Sequence, residues 1–101
     1  MIRHIVMWQL KDEAEGKSKQ ENAVIIKNSL EALWGIVPEL RSIKVGINMQ
    51  GTPENNFDVV LNCTLDDLAA LSAYQVNPDH QKVVAYIVKV VSARVCVDYE
   101  E

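Results

Sequence analysis

Ile2-Arg3-His4-Ile5-Val6-Met7-Trp8-Gln9-Leu10 alternates with a period of two and yet is apolar on both of its sides. Ile2, His4, Val6, Trp8 and Leu10 point one way, and Arg3, Ile5, Met7 and Gln9 the other, which is the pattern of a β-strand. In an antiparallel sheet with one wet face, apolar residues stand opposite polar ones. Here Ile5 and Met7 stand opposite Val6, Trp8 and Leu10, so both faces of this strand need cover.

The segments downstream say what can cover one of them. Ser18 and Glu21 have the spacing of a capping box, in which the serine oxygen accepts from an early helical amide and the glutamate reaches back. Ala23, Ile26, Leu30, Leu33 and Val37 recur at helical spacing until Gly35 and Pro38, predicting a helix over residues 19–34. Ile43, Val45 and Ile47 alternate with Lys44, Gly46 and Asn48, residues 57–64 form a second β-rich run, and the turn-rich residues 50–56 join the two as a hairpin. A short helix is predicted over 65–73 with Thr64 as its cap. Asn77-Pro78 opens another to about Lys89 that turns Val83, Val84, Ile87 and Val88 inward, since asparagine suits the N-cap and proline the first helical position. Val91, Ala93, Val95, Val97 and Tyr99 alternate in a last strand.

The order is β-α-β-β-α-β, an α+β, ferredoxin-like arrangement of four antiparallel strands with helices on one face and usual strand order 4-1-3-2. The helices leave the second face open. It is expected to meet the sheet of a second copy, making a homodimer with a barrel-like core, a dimeric α+β barrel.

The chain has 101 residues, one domain's worth, spanning 1–101. A domain of this size hides only about 65% of its unfolded surface, which adds to the case for a partner. Ten basic and fourteen acidic side chains leave a net charge of −4, the wrong sign for a nucleic-acid footprint or a polybasic membrane patch. No apolar run approaches the ~18 residues of a membrane span, and the expected location is cytoplasmic. Cys63 and Cys96 form no Cys-x-x-Cys pair, and in strand order 4-1-3-2 the first strand separates them by about two 4.8 Å spacings, too far for a disulfide. The acidic run 12–15 is read as a solvated loop and Asp66-Asp67 as the first turn of a helix; neither has a spacing that demands metal, and no metal or cofactor is expected.

Both histidines lie at informative places. His4 sits in the apolar first strand, and His80 is the third residue of the helix opened by Asn77-Pro78. Unpaired amides and the positive end of the helix dipole disfavour protonation there, keeping the imidazole neutral as a base. Tyr74 precedes His80 by six residues, and the break at Asn77-Pro78 can fold phenol and imidazole toward one cavity.

Residues 2–12, the segment Tyr74-Gln75-Val76-Asn77-Pro78-Asp79-His80 and the ending Val97-Asp98-Tyr99 together resemble the stress-responsive dimeric A/B barrel (Dabb) family over essentially the whole chain. The resemblance implies the same ferredoxin-like dimer. It also implies a chemistry, because a few plant members are polyketide cyclases that close a linear poly-β-keto chain by a cofactor-free aldol condensation. Their pattern of a histidine after proline, a tyrosine six residues earlier and a histidine early in the first strand is matched by His80, Tyr74 and His4. By that resemblance His80 would remove a proton between two carbonyls, Tyr74 would stabilise the enolate oxygen, and His4 would orient substrate or Tyr74. A small keto-containing or aromatic molecule in a cleft between helices and sheet would meet Val6 and Trp8 from the strand and Ile26 and Leu30 from the first helix.

Plainer roles stand beside these. His80 can be a helix-start histidine bonded to nearby backbone, Tyr74 a wedge between helices, His4 a satisfied core histidine, and Trp8 and Trp34 packing residues. Three functions follow: a cofactor-free cyclase-type enzyme, a non-catalytic stress-response or ligand-binding homodimer, and, by fold analogy alone, a cofactor-independent monooxygenase.

Overall fold

The doubly apolar strand becomes β1 (Ile2–Leu10), an inner strand of a four-stranded antiparallel sheet in the computed structural model, which describes residues 1–101. The hairpin strands are β4 (Ser42–Ile47) and β5 (Val59–Leu65), and the chain closes with β6 (Val91–Glu100). Their order is β4-β5-β1-β6, which among the four long strands is 4-1-3-2 as expected. β1 therefore lies between the two cysteine strands, and both thiols are free. Burial pushes the Cys63 thiol up to about 12, so it stays protonated.

Helix α1 (Lys19–Glu31) opens on the expected capping box, with Ser18 accepting from the Glu21 amide and Glu21 reaching back to the Ser18 amide. It stops three residues earlier than its periodicity implies, and residues 32–36 form turns. Trp34 falls in those turns and is 56% exposed, so it is not the packing residue its size predicts. Ahead of α1, Glu13–Ala14 (β2) pairs with Lys17–Ser18 (β3), where a loop is expected. Glu15 and Gly16 both take positive φ (53° and 72°), the two-residue turn that matches strand twist.

Helix α2 (Leu68–Val76) also starts later than predicted. Leu65 still pairs with Ile2 in the β-ladder, and Asp67 rather than Thr64 caps the helix, accepting from the Ala70 amide at 2.8 Å. Asp66 stays outside it, held bidentately by Arg41 at 2.9 and 2.7 Å. Helix α3 (Pro78–Val90) follows the expected bounds closely.

The core lies between the helices and one face of the sheet. Ile2, His4, Val6, Trp8 and Leu10 are all buried there, against Ile26 and Leu30 of α1, Tyr74 of α2 and Ile87 and Val90 of α3. The other face carries Ile5 and Met7, aligned in register with Val97 and Val95 of β6. Met7, Val95, Val97 and Tyr99 are all substantially exposed on it, so the apolar second face read from the sequence is uncovered in the single chain.

Candidate functional site

Asn77 makes the corner on which the site depends. Its backbone is extended (φ −59°, ψ 131°), as a residue before proline must be, and its amide closes α2 by donating to the Tyr74 carbonyl at 3.2 Å. Its side-chain oxygen caps α3, accepting from the amides of Asp79 at 2.9 Å and His80 at 3.4 Å. The last turn of α2 and the first turn of α3 are thereby pressed together. The Tyr74 and His80 rings lie 4.2 Å apart between centroids, tilted by 40°. From the sheet, His4 approaches Tyr74 edge-on, with centroids 6.1 Å apart and planes at 71°.

The three side chains differ in what holds them. His4 is buried and its Nδ1 is bonded to the Asp98 carboxylate, with the Cys96 thiol 3.8 Å away. Asp98 is brought there by register, since it stands opposite His4 on β6. Burial and the neighbouring Asp98 raise the Cys96 thiol above its ordinary range. His4, Cys96 and Asp98 are also the one group of histidine, cysteine and acidic donors close enough to share an ion, all within 4.8 Å of one another.

His80 directs Nδ1 at the Gln75 carbonyl, 3.3 Å away, an acceptor it shares with the Gln81 amide group at 2.6 Å. Donating there fixes the proton on Nδ1 and leaves the Nε2 lone pair free. Burial lowers its pKa, the Gln75 bond opposes that shift, and the nearby His4 adds to it. Burial thus favours the neutral imidazole.

Tyr74 is fully buried and its hydroxyl has no hydrogen-bond partner. Burial raises the phenol well above its usual pKa. An orphaned buried hydroxyl costs about 1–3 kcal/mol and calls for an explanation.

Beside this cluster a cavity of about 350 Å³ opens between the helices and the sheet. His4, His80, Val6, Trp8 and Leu30 all wall it. Tyr74 lies behind the two histidines rather than in the wall, and Ile26 is sealed in the core away from it. Val84 and Ile87, expected to face inward, also line it, while Val88 sits at the mouth and is largely exposed. Sequence reasoning missed Gln75, Gln81 and Arg94 in the wall and the carboxylate of Asp98 behind His4. The one signal for Asp98 and Arg94 is that they share a period-two row on the last strand, which gains meaning only once its register against β1 is known.

The plainer roles are partly met as well. His4 has its hydrogen bond, His80 bonds to backbone, and Trp8 packs in the core. What those roles leave unexplained is the unpartnered Tyr74 hydroxyl and the adjoining cavity.

Comparison with known proteins follows the same lines. An uncharacterized protein of Streptomyces coelicolor, SCO4036, is 34% identical over 86 residues, covering 84% of each chain. A crystallised dimeric protein of unknown function and ferredoxin-like fold from Bacteroides fragilis superposes with a TM-score of 0.83 at 29% identity, over 99% of this chain and 95% of that one. The hydroxynitrile lyase of Passiflora edulis shares the fold, with a TM-score of 0.72 at 17% identity over 97% of this chain and 90% of that one. Residues 2–101 match the Stress Responsive A/B Barrel Domain (Dabb), and with the whole ferredoxin-like unit accounted for, the chain belongs to that family.

Proposed function

We propose that this protein is a homodimer whose chains each bind a small keto-containing or aromatic molecule in the cavity beside His80, and that it catalyses cofactor-free proton transfer of the aldol or cyclase type. The observation that carries this reading is the stacked pair of His80, neutral with Nε2 free, and Tyr74, whose buried hydroxyl lacks a partner. A carbon acid between two carbonyls is already activated, so a positioned imidazole is enough to take its proton. The Tyr74 hydroxyl is the donor for the enolate oxygen formed, once His80 shifts to admit it. His4, held by Asp98, fixes the Tyr74 ring from its edge. That the Passiflora edulis neighbour is an enzyme named a lyase supports catalysis on this fold by analogy only.

The homodimer reading rests on the uncovered apolar face of β1 and β6 and on the dimeric state of the Bacteroides fragilis neighbour. Cytoplasmic location follows the sequence expectation, and no helix is long and apolar enough to cross a membrane.

The test is turnover of a short β-keto test substrate by the wild type and by His80→Ala, with circular dichroism to show that the fold is kept. Removing a general base is expected to lower the rate by about 10²–10⁴-fold. Equal turnover overturns the assignment of His80. Saturable binding without turnover in the wild type leaves a ligand-binding homodimer.

A further inference from the structure

The cavity wall holds one arginine and no lysine. Arg94, on the edge strand β6, contributes to its wall directly opposite Trp8 in register, and no aspartate or glutamate lines it. The carboxylates elsewhere do not reach Arg94. It forms no ion pair and its guanidinium lies against the neighbouring Cys96 thiol, whose pKa it lowers, whereas Arg3 is held by Glu101 at 2.6 Å and Arg41 by Asp66 at 2.7 Å. Asp98, in the same row of β6, is committed to His4. Apart from Arg94, the two histidines and Gln75 and Gln81, the wall is apolar, from Val6, Leu30, Leu61 and Ile87 with the Trp8 ring.

An apolar slot with a guanidinium at its edge that no carboxylate neutralises selects a ligand that is apolar along its length and anionic at one end. Arginine offers a planar fork matched to a carboxylate, and its weaker hydration makes it better suited than lysine to this task at a partly desolvated rim. The volume suits a single ring or a short acyl chain rather than a large conjugate.

We infer that Arg94 is a specificity-determining residue that pairs with the carboxylate of an acidic ligand, so that the keto or aromatic molecule bound in this cavity is an organic acid with its apolar body against Trp8 and Leu30. This rests on the cavity being a ligand site, as proposed above, and narrows its substrate class. The acid end at Arg94 leaves the keto or ring end to the histidines, fixing the ligand's direction in the slot.

Isothermal titration with 4-benzoylbutyrate and with its neutral primary amide tests the inference, because the two probes differ only in charge at one end. The wild type is expected to bind the acid about tenfold more tightly than the amide, the size of one charge-assisted hydrogen bond. Arg94→Gln is expected to reduce that ratio to about one, and Arg94→Lys to restore part of it. Arg94 is exposed, so these variants leave the core intact. Equal affinity of the wild type for acid and amide, or an unchanged ratio in Arg94→Gln, overturns the role of Arg94 and leaves the ligand site standing. Failure of both probes to bind the wild type overturns the two together.

Discussion

Tyr74 and His80 stack at 4.2 Å across the Asn77 corner, and the hydroxyl of the tyrosine is sealed away with nothing to bond. Two helical segments pinned end to end place a phenol and an imidazole together at the price of one unsatisfied polar group. An unpartnered buried hydroxyl calls for an explanation, and the donor role proposed for Tyr74 supplies one.

Tyr74→Phe is therefore expected to leave stability unchanged or raise it by about 1 kcal/mol, since it removes a buried hydroxyl that makes no bond. The same change should abolish turnover of the β-keto test substrate. Urea denaturation and a rate assay on the same preparation check both. A clear loss of stability would show that the hydroxyl is satisfied in solution.

Asp98 should matter through His4. Asp98→Ala leaves the buried imidazole without its acceptor and is expected to cost about 1–3 kcal/mol, while Asp98→Asn keeps an acceptor oxygen and costs less. Chemical denaturation of the two variants, compared with the wild type, measures the difference. Equal stability of all three would mean that the His4–Asp98 bond contributes nothing to the fold.

The pH dependence has a defined sign. The folded pKa of His80 lies below the value of about 6.5 expected unfolded, chiefly because burial disfavours the imidazolium. Between that lowered pKa and about 6.5 the unfolded chain binds more protons than the native one, so stability rises with pH through this window. The contribution is fully present above 6.5 and is lost as pH falls toward the folded pKa. An NMR titration should place the His80 Cε1 proton's midpoint below 6.5, and His80→Gln should flatten the stability profile in the same range. A midpoint at or above 6.5 contradicts the burial that the structure shows.

The open sheet face gives a fourth expectation. Val97 is aligned with Ile5 at its centre and is 52% exposed in the single chain. Val97→Glu places a charge where the proposed dimer needs a dry contact, and it should yield a folded monomer by sedimentation at micromolar concentration while the wild type sediments as a dimer. A dimer that survives this change would have to be built on another surface.

How far the residues alone reach can be seen in β1 and its surroundings. Alternation in residues 2–10, the Ser18–Glu21 box and Asn77-Pro78 are local signals, each written within a few positions, and they are enough for the elements, their order and the family. The ends of α1 and α2 were less legible, because a β-ladder to Ile2 and a competing cap at Asp67 decided where α2 begins. The two-strand hairpin before α1 was hidden in an acidic run, since its signal is the positive φ of Glu15 and Gly16 rather than any apolar pattern.

The site divides in the same way. His4, Tyr74 and His80 were visible as residue types with meaningful spacing, and Val6, Trp8 and Leu30 as an apolar face that a cavity would border. That Tyr74 sits behind the histidines with an unpartnered hydroxyl, that Asp98 holds His4, and that Arg94 stands in the wall without an ion pair were decided only by the tertiary structure. Periodicity tells which side of its own strand or helix a residue faces. The register between strands at opposite ends of the chain, and the space left once side chains pack, depend on the whole chain at once, and these are what set an acid beside a histidine and leave an arginine without a carboxylate.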